Sequence, residues 1–225
     1  MRGHDWRGIE ALLFDLDGTL IDSAPDLGAA ANAMRMCRKL APLPLSLYRA
    51  HAGSGARGML NVAFRMTPEN DQYETLRVEF LQQYESCMLE RTMPFAGVPA
   101  LLLSLQSKCI PWAIVTNKAE RLALPLVAAL PDLQHVATVV GGDTTPHAKP
   151  HPAPLLEAAR RLNLDPERCA YVGDDARDIA AGKAAGMLTV AACYGYLGPD
   201  ADVSQWGAHA EVLHPLEILK LFDLP

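Results

Sequence analysis

Two acidic side chains, Asp15 and Asp17, stand two positions apart near the start of the chain. The apolar run at 11–16 predicts a buried strand, and the glycine that follows Asp17 predicts the turn that ends it. Because side chains alternate along an extended chain, both carboxylates point the same way. Gly18 permits the tight exit that keeps them together. The spacing therefore predicts two carboxylates at the end of one strand.

Three further polar segments follow predicted strands later in the chain. They are Thr116-Asn117-Lys118, Lys149-Pro150 and Gly173-Asp174-Asp175. Each segment alone is also typical of an ordinary turn or helix cap. In open parallel sheets, however, ligands bind beyond the carboxyl ends of the strands. We therefore expect all four segments to converge on one site.

The residue types in these segments indicate phosphate chemistry. The four aspartates would repel one another strongly unless a cation lay among them. Carboxylate oxygens are the ligands that Mg²⁺ prefers, and Mg²⁺ in turn suits phosphate chemistry. Lys149 and the hydroxyl group of Thr116 could then hold phosphate oxygens.

The elements that must position these residues change character along the chain. From residue 94 onward, predicted strands alternate with predicted helices, which indicates a parallel sheet covered by helices on both faces. The strands are expected at 112–115, 138–140, 170–172 and 188–192, and the helices at 98–107, 121–130, 154–162, 178–185 and 215–222. Within the second of these helices, Pro125 must produce a kink or lie near the start.

Residues 22–93 show a different pattern, with four predicted helices and no strand. Ser23 is the expected N-cap of the first helix, and the others begin near 46, 55 and 71. The simplest architecture is an α/β fold whose doubly wound parallel sheet comprises residues 1–21 and 94–225. A small all-helical unit, residues 22–93, is inserted after the first strand, and the two chain crossings could form one hinge.

The composition limits the functions open to the chain. It has 225 residues, half of them hydrophobic, and a net charge of −6, which argues against a nucleic-acid partner. No apolar run approaches the roughly 20 residues of a membrane span. No long apolar segment follows Arg2 and Arg7, so we expect no signal peptide. The five cysteines form no CxxC pair, which predicts free thiols in a cytoplasmic protein. A monomer and a homodimer are both open.

Taken in order, the four segments resemble the motifs of the haloacid dehalogenase (HAD) superfamily, in its phosphoglycolate phosphatase-like branch. Residues 14–20 are similar to the first motif, and Thr116 with its two successors to the second. Lys149-Pro150 is similar to the third, and 171–175 with Asp178 to the fourth. The resemblance covers nearly the whole chain, and residues 22–93 resemble the small cap of the family. It implies a magnesium-dependent phosphatase.

The resemblance also implies a role for each matching residue. Asp15 would attack phosphorus and form an aspartyl-phosphate, while Asp17 would act as general acid and base. Asp15, the backbone carbonyl group of Asp17, and Asp174 would bind Mg²⁺, with Asp175 supporting that shell. The acidic side chain at position 17 favours phosphoryl transfer, since the carbon–halogen dehalogenases of the superfamily lack an acid at that position. The side chains that would stabilise the transferring phosphoryl group are Thr116, Asn117 and Lys149.

Substrate choice would depend on the inserted unit. The glycine-rich loop at 51–58 joins two predicted helices, and in similar proteins this loop reaches over the active site. Ser54, Gly55 and Arg57 could therefore bind substrate, and the arginine fork suits a carboxylate. A plain turn with a solvated arginine is the alternative. The loop at 193–198 is assigned no chemistry.

Three activities are consistent with these motifs. The first is hydrolysis of a small acidic phosphorylated metabolite, with 2-phosphoglycolate as the leading substrate. The second is hydrolysis of a sugar phosphate such as N-acetylmuramic acid 6-phosphate. The third is a phosphosugar mutase of the β-phosphoglucomutase kind, which would require a second phosphate-binding site in the inserted unit. A non-catalytic binding role is disfavoured, because every catalytic position is filled.

Overall fold

The computed structural model describes residues 6–198 and 200–222, and eight strands run through them. They are β1 (Ala11–Phe14), β2 (Ile21–Asp22), β3 (Met93–Pro94), β4 (Trp112–Val115), β5 (Thr138–Val140), β6 (Cys169–Gly173), β7 (Leu188–Ala192) and β8 (Ala210–Val212). Six of the strands form one parallel sheet in the order β5-β4-β1-β6-β7-β8. The α/β class expected from the alternating pattern is confirmed.

The nine predicted helices are all present in the described residues. They are α1 (Ala24–Cys37), α2 (Leu45–Arg49), α3 (Gly55–Phe64), α4 (Tyr73–Cys87), α5 (Val98–Ser107), α6 (Glu120–Ala129), α7 (Ala153–Leu162), α8 (Ala176–Ala184) and α9 (Glu217–Leu221). Pro125 lies inside α6, on its exposed side. Strand β8 was not predicted, because only Val212 of its three residues is buried and no apolar run marks it.

The register of the central strand brings the polar segments to one edge of the sheet. Phe14, the last residue of β1, pairs with Ile114 of β4 and with Val172 of β6. Because these strands are parallel, the segments that follow them leave the sheet on the same side. Three of the four polar segments therefore begin side by side, as the sequence predicted.

The inserted unit is joined to the sheet through a feature that the sequence did not reveal. Strands β2 and β3 pair antiparallel, with Ile21 opposite Pro94 and Asp22 opposite Met93. The two chain crossings therefore lie against each other. Helices α1 to α4 all fall between them. The division into a helical unit and a core stays a prediction, and the paired crossings are where we expect it to hinge.

The start of α1 also differs from the expectation. The Ser23 side chain forms no capping bond; its hydroxyl group donates instead to Asp17. The phenol oxygen of Tyr196 accepts from the backbone N–H groups of Ser23 (2.8 Å) and Ala24 (2.9 Å). The Tyr196 hydroxyl group thus takes the place of a local cap, because the Ser23 hydroxyl group is bonded to the carboxylate of Asp17.

Two apolar clusters bury the two faces of the sheet. One contains Leu12 and Phe14 of β1 and continues into the inserted unit as far as Met34 and Phe80. The other contains Leu13 and packs beneath α7 and α8. Among residues 6–198 and 200–222, no helix has both the length and the apolar character needed to cross a membrane.

Candidate active site

Lys149 is buried at the carboxyl edge of the sheet, with 5% of its surface exposed. Its Nζ donates to the carbonyl oxygen of Val115 (2.9 Å) and to the hydroxyl oxygen of Tyr171 (2.7 Å). It also forms ion pairs with Asp15 (2.9 Å) and Asp178 (2.7 Å). Burial lowers the pKa of Lys149, but these two carboxylates raise it more, so the ammonium group stays charged.

Asp15 follows directly from β1 and faces this ammonium group. Its backbone N–H donates to the carbonyl oxygen of Val172 on the neighbouring strand (2.9 Å). Its Oδ1 also accepts from the N–H of Leu16 (2.8 Å). Burial raises the pKa of Asp15 to about 6, against the opposing effect of Lys149. The carboxylate is thus fixed in direction and poorly solvated, as suits a nucleophile.

Three carboxylates, one of them that of Asp15, meet at this edge of the sheet. One oxygen each from Asp15, Asp174 and Asp178 lies within 4.8 Å of the other two. Burial, then the charges of Asp15 and Asp178, raise the pKa of Asp174 well above its usual range. Lys149 offsets only one of the three charges, so an added divalent cation would relieve the repulsion. Hard oxygen ligands in a small cluster fit Mg²⁺.

Asp174 is held by groups from two separate loops. Its Oδ1 accepts from the hydroxyl group of Thr19 (3.2 Å), and its Oδ2 accepts from the backbone N–H of Tyr196 (2.7 Å). A Cβ on Gly195 would lie 2.3 Å from the Asp174 Cβ. A Cβ on Gly18 would lie 2.2 Å from the Asp174 Oδ2. The backbone therefore approaches this carboxylate as closely as glycine alone allows.

Asp17 is set apart from the other aspartates by its partners. Both of its carboxylate oxygens accept from Lys118 Nζ at 3.0 Å, and one also accepts from Ser23. Lys118 in turn lies over the ring of Tyr84, 4.6 Å from its centroid. Burial lowers the pKa of Lys118, but Asp17 and Tyr84 together raise it more, so the net shift is upward. This arrangement engages the Asp17 carboxylate outside the cluster of three.

Thr116 and Asn117 follow β4, where the sequence placed them. Thr116 is buried, and its Oγ1 accepts from the backbone N–H of Lys118 (3.1 Å). The Asn117 amide donates to the carbonyl oxygen of Lys149 (3.0 Å) and accepts from its N–H (2.9 Å). Asn117 thus fixes the loop that carries Lys149, and its direct contact with phosphate stays a prediction.

Asp175 has partners that the sequence did not suggest. It is the N-cap of α8 and accepts from the backbone N–H of Arg177 (2.9 Å). Burial raises the pKa of Asp175, but the guanidinium group of Arg177 has the larger, opposite effect, so the net shift is downward. The Asp178 side chain, rather than that of Asp175, completes the cluster with Asp15 and Asp174. Support of a metal shell by Asp175 stays a prediction.

A cavity of about 310 Å³ extends from this edge of the sheet to the inserted unit. Its core end includes Asp15, Asp17 and Lys149. Its far end includes the three loop residues predicted to contact substrate, Ser54, Gly55 and Arg57. Apolar side chains form much of the remaining wall, namely Leu27, Tyr73, Phe80, Leu81, Tyr84 and Leu122. All of the predicted site residues except Asp174 therefore border one space.

Several residues of this site were given no individual role at the level of sequence. Asp178 had a usable signal, since an acid three positions after an N-cap aspartate is typical of a capping box. Lys118 lies within a motif but has no local pattern that pairs it with Asp17. Tyr171 and Tyr196 contribute hydroxyl groups from a buried strand and a loop, where the surrounding sequence gives no sign of them. All five cysteines are unpaired, as predicted.

Comparison with known proteins gives consistent results. Residues 9–186 match the family described as haloacid dehalogenase-like hydrolase. The chain is 41% identical over 215 residues to the N-acetylmuramic acid 6-phosphate phosphatase of Pseudomonas putida, covering 96% of each chain. It is 44% identical over 208 residues to the phosphoglycolate phosphatase of Xanthomonas campestris, covering 92% of this chain and 94% of that one.

A solved structure shares the architecture. The crystal structure of a predicted phosphoglycolate phosphatase from Haemophilus somnus superposes with a TM-score of 0.83 and 26% identity. The alignment covers 95% of this chain and 98% of that one. The similarity therefore extends across the sheet and the inserted helices.

Proposed function

We propose a mechanism and a substrate class for this chain, which belongs to the haloacid dehalogenase-like hydrolase family and is a phosphatase. It hydrolyses a small acidic phosphomonoester through an aspartyl-phosphate on Asp15. The observation that carries the proposal is the pairing of Asp15 with buried Lys149 at the core end of a cavity. No other described carboxylate combines that pairing with a strand-end position beside Asp17.

The first half of the reaction transfers the phosphoryl group to the protein. An Asp15 carboxylate oxygen attacks phosphorus, and the bond between phosphorus and the leaving oxygen breaks. Asp17 donates a proton to that oxygen, which avoids the release of an alkoxide. Lys149 and the Thr116 hydroxyl group stabilise the phosphoryl oxygens as charge moves across them.

The second half returns the protein to its starting state. Asp17 accepts a proton from a water molecule, whose oxygen attacks phosphorus. The bond between phosphorus and Asp15 then breaks, and inorganic phosphate leaves. The same carboxyl group thus serves both halves, which explains why its position is fixed by Lys118 and Ser23.

The carboxylate cluster fits a magnesium ion. Asp15 and Asp174 would hold it together with the backbone carbonyl group of Asp17, and Asp178 would complete the shell. When bound, Mg²⁺ supplies positive charge to the phosphoryl oxygens and offsets the negative charge of the cluster. The shared buried position of the three carboxylates supports this assignment.

The cavity favours a leaving group larger than glycolate. Glycolate offers one methylene group, whereas six apolar or aromatic side chains line the wall beyond the phosphate end. Burying such a wall against a larger organic group is favourable, and cavities of about 300 Å³ and above are typical ligand sites. We therefore rank N-acetylmuramic acid 6-phosphate ahead of 2-phosphoglycolate. Both carry a carboxylate that Arg57 could bind, and relatives bear each name.

A comparison of three phosphomonoesters tests this proposal. The purified chain with Mg²⁺ is assayed for phosphate release from N-acetylmuramic acid 6-phosphate, 2-phosphoglycolate and β-glucose 1-phosphate. We expect the highest kcat/KM for the first. A higher value for 2-phosphoglycolate would reverse the ranking. Conversion of β-glucose 1-phosphate to glucose 6-phosphate, in place of hydrolysis, would instead support a mutase.

A further inference from the structure

Arg177 connects the core to the inserted unit at the edge of the cavity lining. Its side chain lies at the start of α8 and borders the cavity. Nε and Nη2 each donate to a carboxylate oxygen of Asp175 at 2.8 Å. Nη2 also donates to the backbone carbonyl oxygen of Gly53, again at 2.8 Å. Gly53 belongs to the 51–58 loop, so one guanidinium group bridges the two units.

The orientation of this guanidinium group is fixed from the core side. A two-point contact with a carboxylate defines both the position and the plane of an arginine fork. Asp175 is itself held, since its backbone N–H donates to Asp178 Oδ2 (3.1 Å). Asp178 in turn pairs with Lys149 at the phosphate end. A continuous set of polar contacts therefore runs from Lys149 to the carbonyl group of Gly53.

We propose that Arg177 is a positioning residue that docks the 51–58 loop over the bound substrate. The contact with Gly53 places Ser54, Gly55 and Arg57 at the far end of the cavity, where the leaving group lies. Arg177 thereby affects substrates that reach the loop and leaves the transfer of the phosphoryl group itself unchanged. The inference rests on the proposed function, since it takes the loop as the part of the site that meets the leaving group.

A second arginine between the two units provides a matched control. Arg121 on α6 pairs with Glu85 on α4 at 2.6 Å. Both side chains of that pair are about half exposed, and neither borders the cavity. Exposed pairs contribute little to stability. Arg121→Ala therefore removes a contact between the units without touching the loop.

The test uses Arg177→Ala, Arg177→Lys and Arg121→Ala in the full chain with Mg²⁺. N-acetylmuramic acid 6-phosphate and 2-phosphoglycolate probe the loop, and p-nitrophenyl phosphate probes the phosphate end. For Arg177→Ala we expect KM for the better of the two acidic substrates to rise about tenfold, as for loss of one charge-assisted hydrogen bond. The kcat for p-nitrophenyl phosphate should stay within about twofold. Arg177→Lys should recover part of the loss. Arg121→Ala should leave KM and kcat unchanged for all three substrates.

Hydrogen–deuterium exchange gives a readout that does not depend on activity. The amides at 51–58 should exchange faster in Arg177→Ala than in the wild type, and at the wild-type rate in Arg121→Ala. Unchanged exchange in Arg177→Ala would overturn the docking proposal. So would equal losses on both kinds of substrate, because Arg177 would then belong to the phosphate machinery. Faster exchange in a chain that hydrolyses no phosphomonoester would support docking while refuting the proposed function.

Discussion

At the core end of the cavity, the ammonium group of Lys149 is surrounded by four oxygens and almost wholly buried. At the far end, Arg57 is exposed, and its side chain forms no hydrogen bond or ion pair with the residues described, 6–198 and 200–222. The two side chains thus carry the same charge, but Lys149 is held by several partners, whereas Arg57 is free to change conformation. Under the proposed function, the phosphate common to all substrates would meet a buried, fully paired cation, and the variable leaving group an exposed one.

This contrast predicts two kinds of mutational effect. A change at the core end should reduce turnover of every substrate, because the buried network leaves no alternative partner. A change at the far end should reduce turnover of some substrates and spare others.

Asp15→Asn should abolish phosphate release from every substrate, by about 10³-fold or more. An amide nitrogen or oxygen cannot form the aspartyl-phosphate, although the side chain keeps its size. Phosphate release from p-nitrophenyl phosphate measures the loss, and exposed Asp132→Asn serves as the control. Near-wild-type activity in the purified Asp15→Asn variant would refute the assignment of the nucleophile.

Removal of divalent metal with EDTA should also eliminate activity, and added Mg²⁺ should restore it. Without a cation the Asp15, Asp174 and Asp178 carboxylates repel one another and the substrate phosphate. Ca²⁺ should inhibit, because its larger and looser coordination shell misplaces the nucleophile relative to phosphorus. Assays in chelator, then with each metal, measure these effects; full activity in EDTA would exclude the metal mechanism.

Gly195→Ala should weaken the response to Mg²⁺ while leaving the substrate preference intact. The added methyl group has no room beside Asp174 and the Gly18 carbonyl oxygen. Displacing a group that orients a metal ligand commonly costs 10–100-fold in affinity. The Mg²⁺ concentration for half-maximal activity should therefore rise by about tenfold or more. Gly8→Ala, which meets nothing within 4 Å, is the control; identical Mg²⁺ titrations for both variants would contradict the packing argument.

Arg57→Ala should have the most selective effect. Loss of a charge-assisted contact with the substrate carboxylate should lower kcat/KM by an amount equivalent to about 1.5–3 kcal/mol. A neutral aryl phosphate should be hardly affected. Steady-state kinetics on both substrates measure the difference, with exposed Arg160→Ala as the control. Equal losses on both would assign Arg57 to the phosphate or the fold, and no loss on either would make it a solvated surface residue.

The parts of this structure that the sequence predicted are those with local signals. Alternating apolar runs predicted the parallel sheet, and the sheet alone brings the residues after β1, β4 and β6 together. The parts that the sequence did not predict depend on contacts between residues that are far apart in the sequence. Ser23 had the local pattern of an N-cap, but the carboxylate of Asp17 engages its hydroxyl group. Tyr196, in a loop assigned no chemistry, supports both Asp174 and the start of α1.

The apolar cluster that runs from Leu12 and Phe14 to Met34 and Phe80 has a consequence for unfolding. If the two units hinge at β2 and β3, as we expect, the movement must leave covered the one apolar cluster that contains residues of both. Heat should therefore disrupt both units together, because neither can keep its half of that cluster dry alone. Scanning calorimetry should show one endotherm whose van't Hoff enthalpy equals its calorimetric enthalpy, whereas two resolved endotherms would show that the units melt independently.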